Sequence, residues 1–397
     1  MPDNAEPQVS VLMPTYKVDE RIGRSLSSLL NQSFRDFEIV IVNDGDDYYI
    51  RQIVAAFDDS RLLLITNENR LGLAESLNLG LKKARGRYLA RADADDYYPE
   101  YRLQKQYDFM EGHPEISVCG SWQQHVDPQG LPLFLHKPPL SHDLIQAALL
   151  FNCELCHSTL FFRKKDFMDN ELWYDPDYAM EDFELWTRAV KKVKFATIPE
   201  SLGYYEVHQG SRCQRSGAYA MDKNQEAVII KQLNELGLTL EQKWGQILTG
   251  RDYQPDTVEG DQKPLRALDQ LLQAIWRNNL RRGFYQKDAL RQVLQLRWLR
   301  ACPPASNPHF YLTSDFALPL TAWPAASKSK FLFYKTTSLA KRILQPVIFP
   351  LLAVASDQIA RRVRHLVEEE IRDAAEGKMA GRETTSSPNY EEPPPRP

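Results

Sequence analysis

The sequence predicts an α/β fold, with a mostly parallel sheet flanked by helices, followed by a helical C-terminal extension and a disordered tail. Three observations predict it. Four short apolar runs, at residues 9–14, 37–42, 61–66 and 88–92, alternate with helical patterns. The runs are apolar on both faces, as strands covered by helices on each side must be. After about residue 218 the strands stop and only helical spacing continues.

Each element follows from its residues. Residues 9–14 form a buried strand that stops at Pro14, with Thr15, Tyr16 and Lys17 as its loop. Residues 20–31 read as a helix because Ile22, Leu26, Leu29 and Leu30 recur at helical spacing. The second strand, 37–42, ends in the polar turn Asn43-Asp44-Gly45-Asp46-Asp47, and a helix follows from about 49 to 57. The third strand, 61–66, leads through a loop at 67–72 into a helix at 73–84, which Gly86 ends. The fourth strand, 88–92, runs into Asp93, Asp95 and Asp96, and Pro99 opens a helix at 100–111. Beyond it the spacing predicts a strand at 116–120, a loop-rich stretch at 122–139, a helix at 142–150 and a strand at 157–163. A helix beginning at Glu181 and a short strand at 195–199 complete the series.

Length and composition narrow the function. A chain of 397 residues holds one large domain or two ordinary ones. A net charge of -4 argues against a general nucleic-acid binder. Residues 1–8 are polar and lack the apolar stretch of a secretory signal, and no apolar run has the length to span a bilayer. Five scattered cysteines, Cys119, Cys153, Cys156, Cys213 and Cys302, predict reduced thiols in a cytoplasmic protein. Cys153-x-x-Cys156-His157 matches a haem-attachment pattern, but that chemistry needs an exported chain. No second ligand pair is spaced for zinc, so the two thiols are expected to pack as small hydrophobes.

In a parallel sheet, ligands bind beyond the carboxyl ends of the strands. Three strand ends meet there: Pro14-Thr15-Tyr16, Asn43-Asp44, and the acidic run of Asp93, Asp95 and Asp96. Packing three carboxylates within four residues is costly unless a cation neutralises them. Their hard oxygens suit Mg²⁺ or Mn²⁺ carrying a phosphate ligand. A solvated acidic turn has the same composition, and the convergence of strand ends favours the metal. No G-x-G-x-x-G follows the first strand and no G-x-x-x-x-G-K-[ST] occurs, so dinucleotide and P-loop chemistry lose their main support. A second acidic pair, Glu181-Asp182, opens a helix, where the dipole stabilises ionised carboxylates. An ordinary acidic first turn would look alike. His208 lies near the end of the same domain.

These pieces, in this order, resemble family 2 glycosyltransferases, nucleotide-sugar-dependent enzymes of the Rossmann-like GT-A fold. The resemblance rests on residues 9–15, the strand and turn at 38–45, 69–84, 86–99 and Glu181-Asp182-Phe183-Glu184-Leu185-Trp186, and covers about 9–212. It implies that Pro14, Thr15 and Tyr16 line the nucleotide base, that Asp44 accepts a hydrogen bond from the base, and that Arg70 approaches the diphosphate. Asp93 and Asp95 form a D-x-D-like pair, with Asp93 near the ribose and Asp95 holding a divalent Mn²⁺ or Mg²⁺ together with Asp96. Asp182 matches the general base of an inverting transfer, and His208 matches a histidine close to the metal and diphosphate. The implied partners are a nucleotide-sugar donor, expected to be a UDP-sugar, and a glycan or lipid-linked acceptor.

The chain departs from the common pattern at several positions. Asn43-Asp44-Gly45-Asp46 stands where Asp-Asp-Gly-Ser is frequent, and Lys17 stands where asparagine is frequent. Glu206 and Cys213 replace an arginine and a serine around His208. Two rival functions are a sugar nucleotidyltransferase and a non-catalytic carbohydrate- or nucleotide-binding module. The loop at 15–19 lacks the glycine-rich basic run of the first, and the retained Asp95 and Asp182 argue against the second.

The expected organisation is a disordered N-terminus at 1–8, a catalytic domain at 9–217, a mainly helical region at 218–375 and a disordered tail at 376–397, poor in apolar residues. Leu265, Leu268, Leu271, Leu272, Ile275 and Trp276 give the helical region an apolar face, followed by an arginine-rich stretch from Arg277 to Arg300. Lys328, Lys330, Lys335, Lys341 and Arg342 then flank apolar residues 331–334 and precede an apolar run at 347–354. Such a pattern suits peripheral contact with the inner face of a membrane. It equally suits a helical hairpin packed on the catalytic domain or a dimer surface.

Overall fold

The computed structural model describes residues 6–45, 48–208, 223–239, 263–301 and 314–316. The chain divides into two units, Met1–Pro319 and Leu320–Pro397, and every described residue belongs to the first. The basic and apolar segment expected at 328–354, the rest of the helical region up to 375 and the tail at 376–397 lie outside the described residues, as do Asp46 and Cys213.

An eight-stranded sheet organises the first unit. Strands β1 (Val9–Thr15), β2 (Phe37–Asn43), β3 (Leu62–Thr66) and β4 (Tyr88–Arg91) run parallel in the order β3-β2-β1-β4. Every residue of β2 and β4 is buried, which is why these runs read as apolar on both faces. Helices α1 (Arg21–Leu30), α2 (Tyr48–Phe57) and α3 (Leu73–Lys83) make the crossovers. Helix α1 seats Ile22, Leu26, Leu29 and Leu30 in the core, as their spacing requires. At Gly86 a Cβ would lie 2.5 Å from the backbone nitrogen of Ser10, so only glycine lets the chain enter β4 so close to β1.

The other half of the sheet is mixed. Strand β7 (Phe161–Arg163) lies antiparallel to β4, and β5 (Val118–Val126) pairs antiparallel with β7 and with the edge strand β6 (Pro132–His136). Strand β8 (Phe195–Glu206) runs parallel to β5. Helices α4 (Arg102–Gly112), α5 (His142–Ala148), α6 (Lys164–Asp169) and α7 (Glu181–Ala189) connect these strands.

Three sequence expectations are corrected here. The stretch 122–139 is largely a β-hairpin, not a loop: β5 continues to Val126 and β6 returns. Residues 132–134 are exposed on both faces, so no apolar–polar alternation marks the strand. The strand expected at 157–163 begins as a single 3₁₀ turn over His157–Thr159, which Thr159 closes by donating from its hydroxyl to the Cys156 carbonyl at 3.0 Å. The strand expected to end at 199 runs on to Glu206. Its pairing jumps from Ile198 to Ser201, a bulge that accommodates Pro199, which has no N–H for the ladder.

Beyond the sheet lie α8 (Lys223–Glu235), α9 (Lys263–Arg282) and α10 (Lys287–Ala301). Leu265, Leu268, Leu271, Leu272 and Ile275 are buried along α9, while Arg277, Arg281 and Arg282 are exposed. Helix α8 is fastened to the segment between α5 and the 3₁₀ turn: Gln232 donates to the Leu149 carbonyl at 2.9 Å, and Gln225 donates to the Asn152 side chain at 3.1 Å.

Candidate active site

The carboxyl ends of β1, β2 and β4 carry the expected residues, and backbone hydrogen bonds bind the first two together. The Asp44 amide donates to the Thr15 carbonyl at 2.8 Å. Asp44 is buried and its carboxylate anchors the next loop. One oxygen accepts from the Leu71 amide at 2.6 Å and from the Asn67 side chain at 3.1 Å, and the other accepts from the Gly72 amide at 2.8 Å. A carboxylate has about four acceptor positions, so one remains on the second oxygen for a ligand donor. The same loop places the Arg70 guanidinium 4.3 Å over the ring of the exposed Tyr16. Gly72 at φ 89° starts α3 in a conformation that other residues rarely adopt.

The acidic run after β4 splits into three environments. Asp93 accepts from Arg91 at 2.6 Å, its backbone N–H donates to the Tyr98 hydroxyl at 2.8 Å, and its carbonyl accepts from Ser25 at 2.9 Å. Asp95 keeps 38 % of its side chain exposed and stands 3.0 Å from Nε2 of His208. Burial of its surroundings and the neighbouring Asp93 carboxylate raise the Asp95 carboxyl above the usual range, against the pull of His208. Asp96 is 1 % exposed. One of its oxygens accepts from Ser158 at 2.5 Å and from Gln123 at 3.2 Å, while the other is buried without a hydrogen-bond partner. Burial, with Asp93 and Asp95 adding, pushes the Asp96 carboxyl well up.

The donor set fits a divalent cation. Asp95 and Asp96, whose carboxyls are raised by burial and by their acidic neighbours, are relieved by nearby positive charge. Asp95 and His208 present one oxygen and one nitrogen side by side at the open edge of the run. Among the described residues there is no cluster of three or more His, Cys, Asp or Glu side chains able to hold a metal ion. Mg²⁺-type sites commonly take one or two protein carboxylates and complete their shell with phosphate and water.

Asp182 lies in the first turn of α7, where its carboxylate accepts from the Phe183 amide at 2.7 Å. Phe183, Leu185 and Trp186 are buried and hold this helix against the sheet. Two features tie α7 to the acidic run. The buried Tyr174 hydroxyl is pushed up by burial. It feels Arg91 and Asp93 on the strand side and Glu181 and Asp182 on the helix side. The segment 153–156 makes the second link: the Cys153 sulfur is 3.9 Å from the Asp182 carboxylate, and the Asp96 carboxylate adds to the burial that raises the Cys156 thiol. Cys156 is buried, as expected of a small hydrophobe, whereas Cys153 is only half-buried and touches the acid.

Several participants escaped the sequence reading. Arg91 sits fully buried inside an otherwise apolar strand, and a charged residue in a buried run was the signal that it has an ionic partner. Gln123, Ser158 and Tyr174 carry no local signature, because their partners come from other elements. Glu206, one of the departures, is buried and paired with Arg24 at 2.5 Å and Arg21 at 3.6 Å on α1.

Comparison with known proteins agrees with this architecture. The pattern described as Glycosyl transferase family 2 matches residues 10–171. WbnJ of Escherichia coli, an O-antigen biosynthesis glycosyltransferase, is 30 % identical over 218 residues, covering 53 % of this chain and 84 % of its own. WfgD of E. coli, a UDP-Glc:α-D-GlcNAc-diphosphoundecaprenol β-1,3-glucosyltransferase, is 37 % identical over 190 residues, covering 48 % of this chain and 72 % of its own. Among solved structures, residues 1–349 of Staphylococcus aureus TarS, in complex with UDP-GlcNAc, superpose with a TM-score of 0.51 at 20 % identity, covering 77 % of this chain and 92 % of that one. The likeness to that structure is one of fold, the GT-A fold. With an α/β sheet of this order, strand ends of this composition and relatives matched over most of their length, the chain belongs to glycosyl transferase family 2.

Proposed function

We propose that this glycosyltransferase moves a sugar from a UDP-sugar donor to a hydroxyl of a glycan or lipid-linked acceptor, with inversion at the anomeric carbon. The observation that carries the reading is the segment 153–158, whose Cys153 sulfur lies 3.9 Å from the Asp182 carboxylate and whose Ser158 hydroxyl donates to Asp96 at 2.5 Å, so that both acidic sites border it. WfgD acts on a diphosphoundecaprenol-linked sugar and TarS is seen with UDP-GlcNAc, which supports the acceptor and the donor.

The base packs at Pro14, Thr15 and Tyr16, and the open acceptor position of Asp44 takes a base N–H. Arg70 swings from the Tyr16 ring toward the diphosphate, and Asp93, held by Arg91, faces the ribose. Asp95 and His208, side by side at 3.0 Å, would hold a Mn²⁺ or Mg²⁺ ion. When bound, such a cation offsets the charge gathering on the departing diphosphate. Asp96, fastened by Ser158 and Gln123, fixes the turn that aims Asp95. Asp182 accepts the acceptor's hydroxyl proton as the new oxygen–carbon bond forms and the bond to the diphosphate breaks.

A panel of nucleotide sugars with Mn²⁺ and lipid-linked acceptor extract tests the proposal. Release of nucleoside diphosphate with glycosylated acceptor is expected. Pyrophosphate chemistry would instead favour a nucleotidyltransferase, and silence on every donor a binding module. Asp182→Asn is expected to keep UDP binding and lose transfer by roughly 10²–10⁴-fold, the range for a positioned base. Near-normal turnover would remove Asp182 from that role.

A further inference from the structure

The end of the β5–β6 hairpin exposes an unusual surface. Leu131, Leu133 and Phe134 are 63 %, 53 % and 54 % exposed, and none packs into the core. Consecutive strand residues point to opposite faces, so Leu133 and Phe134 project on both sides of the hairpin. A partner protein or a second copy docking on one face would leave the other wet. No acidic or basic residue occurs from 128 to 135. One oxygen of the Asp127 carboxylate is turned into the turn, accepting from the Gln129 amide at 2.9 Å and the Leu131 amide at 2.8 Å. His125, stacked on Phe134 at 4.2 Å, is pushed down to about 4 by burial and His136, so it is uncharged at neutral pH. At the base of the hairpin the Lys137 ammonium lies 4.7 Å over the Trp122 ring.

This order suits a lipid surface: an uncharged apolar end, then an aromatic and a cation. Residues 131–134 span roughly 10 Å of strand, the depth that interfacial segments reach. Lys is favoured at headgroup level, its stem laid over the apolar Trp122 ring and its ammonium reaching lipid phosphate. The hairpin end also neighbours the site, since a Cβ on Gly130 would lie 3.9 Å from the hydroxyl of Tyr97, the residue after Asp96.

We propose that the β5–β6 hairpin docks the protein on a bilayer, with Leu131, Leu133 and Phe134 entering the headgroup–acyl boundary beside the catalytic cleft. The inference rests on the reading that the acceptor is lipid-linked, and it gives that acceptor a direct path from membrane to site.

The test is sedimentation of the full chain with phosphatidylethanolamine–phosphatidylglycerol vesicles, with no acceptor added, at 0.1 M and 0.5 M NaCl. Wild type is expected to bind at both, because apolar insertion survives salt screening. The triple variant Leu131→Ser, Leu133→Ser, Phe134→Ser is expected to lose at least about tenfold in partitioning, and Leu133→Ser alone to fall between. UDP binding, measured in parallel, is expected to be unchanged in both variants and certifies the fold. Wild type remaining in the supernatant would overturn the proposal. So would a triple variant that partitions like wild type, or one that only converts a dimer to a monomer. UDP binding and transfer to a soluble acceptor report separately on the transferase reading, so failure of one is distinguishable from failure of the other.

Discussion

Nε2 of His208 stands 3.0 Å from Oδ2 of Asp95, although 113 residues separate them in the chain. Asp95 follows the end of β4, and His208 follows the end of β8. The two strands do not pair with one another. What joins their ends is the bridge between Tyr97 and Tyr204, whose backbones exchange hydrogen bonds at 3.2 and 2.8 Å and whose rings stack at 4.7 Å. Arg24 covers the Tyr97 ring at 4.3 Å while pairing with Glu206.

On the proposal that His208 helps hold the metal, His208→Ala is expected to raise the Mn²⁺ concentration needed for half-maximal activity by about 10–100-fold, the loss typical when a supporting group is taken from a metal site. Chelation is expected to abolish activity in wild type, and added Mn²⁺ to restore it. Titrating Mn²⁺ against both proteins checks this, and equal requirements would place His208 elsewhere.

Asp44 anchors a loop and, in the proposed function, also meets the base. Asp44→Ala leaves the Leu71 and Gly72 amides without their acceptor and, on that proposal, removes a charged partner for the base. A hydrogen bond to a charged group contributes about 1.5–3 kcal/mol, so UDP affinity is expected to fall at least roughly tenfold. Isothermal titration with UDP measures it. Asp44→Asn, which keeps one acceptor oxygen, falls between.

Glu38 is a buried carboxylate in a strand of apolar residues. It accepts from Ser10 at 2.6 Å, from the Arg85 amide at 2.8 Å and from the Arg85 guanidinium at 2.6 Å. Ser10 in turn accepts from the Gly86 amide at 2.8 Å, so one acid secures the entry to β4. Glu38→Ala orphans these donors and is expected to cost about 1–3 kcal/mol, read as a lower urea midpoint at unchanged slope.

Lys17 occupies φ 51°, the left-handed region, where a lysine Cβ is crowded and asparagine is tolerated. Lys17→Asn is expected to stabilise the fold by about 0.5 kcal/mol. Thermal unfolding monitored by circular dichroism checks the sign. The left-handed backbone accounts for the asparagine frequent at this position, not for the lysine.

The parallel half of the sheet was legible because each strand carries its own signal. Val11, Ile39, Val40 and Leu89 are buried by helices on both sides, and burial writes a continuous apolar run. The hairpin at Val118–His136 was not legible, because the partners of β6 lie on one edge only and its faces are solvated. The run to Glu206 was hidden for a related reason: Pro199 interrupts the pattern, and the bulge that absorbs it exists only once β5 is alongside.

The sequence by itself determined the alternating α/β order, the strand ends that carry Thr15, Asp44 and Asp93, and the acidic start of α7, because these depend on neighbours within a few residues. Only the tertiary structure decided the environment of each carboxylate. Asp93, Asp95 and Asp96 are nearly identical in sequence context, yet Arg91, His208 and the Ser158–Gln123 pair draw them into three different environments. Those partners reach the run from distant elements, and a side chain's charge state and direction are set by what surrounds it in space.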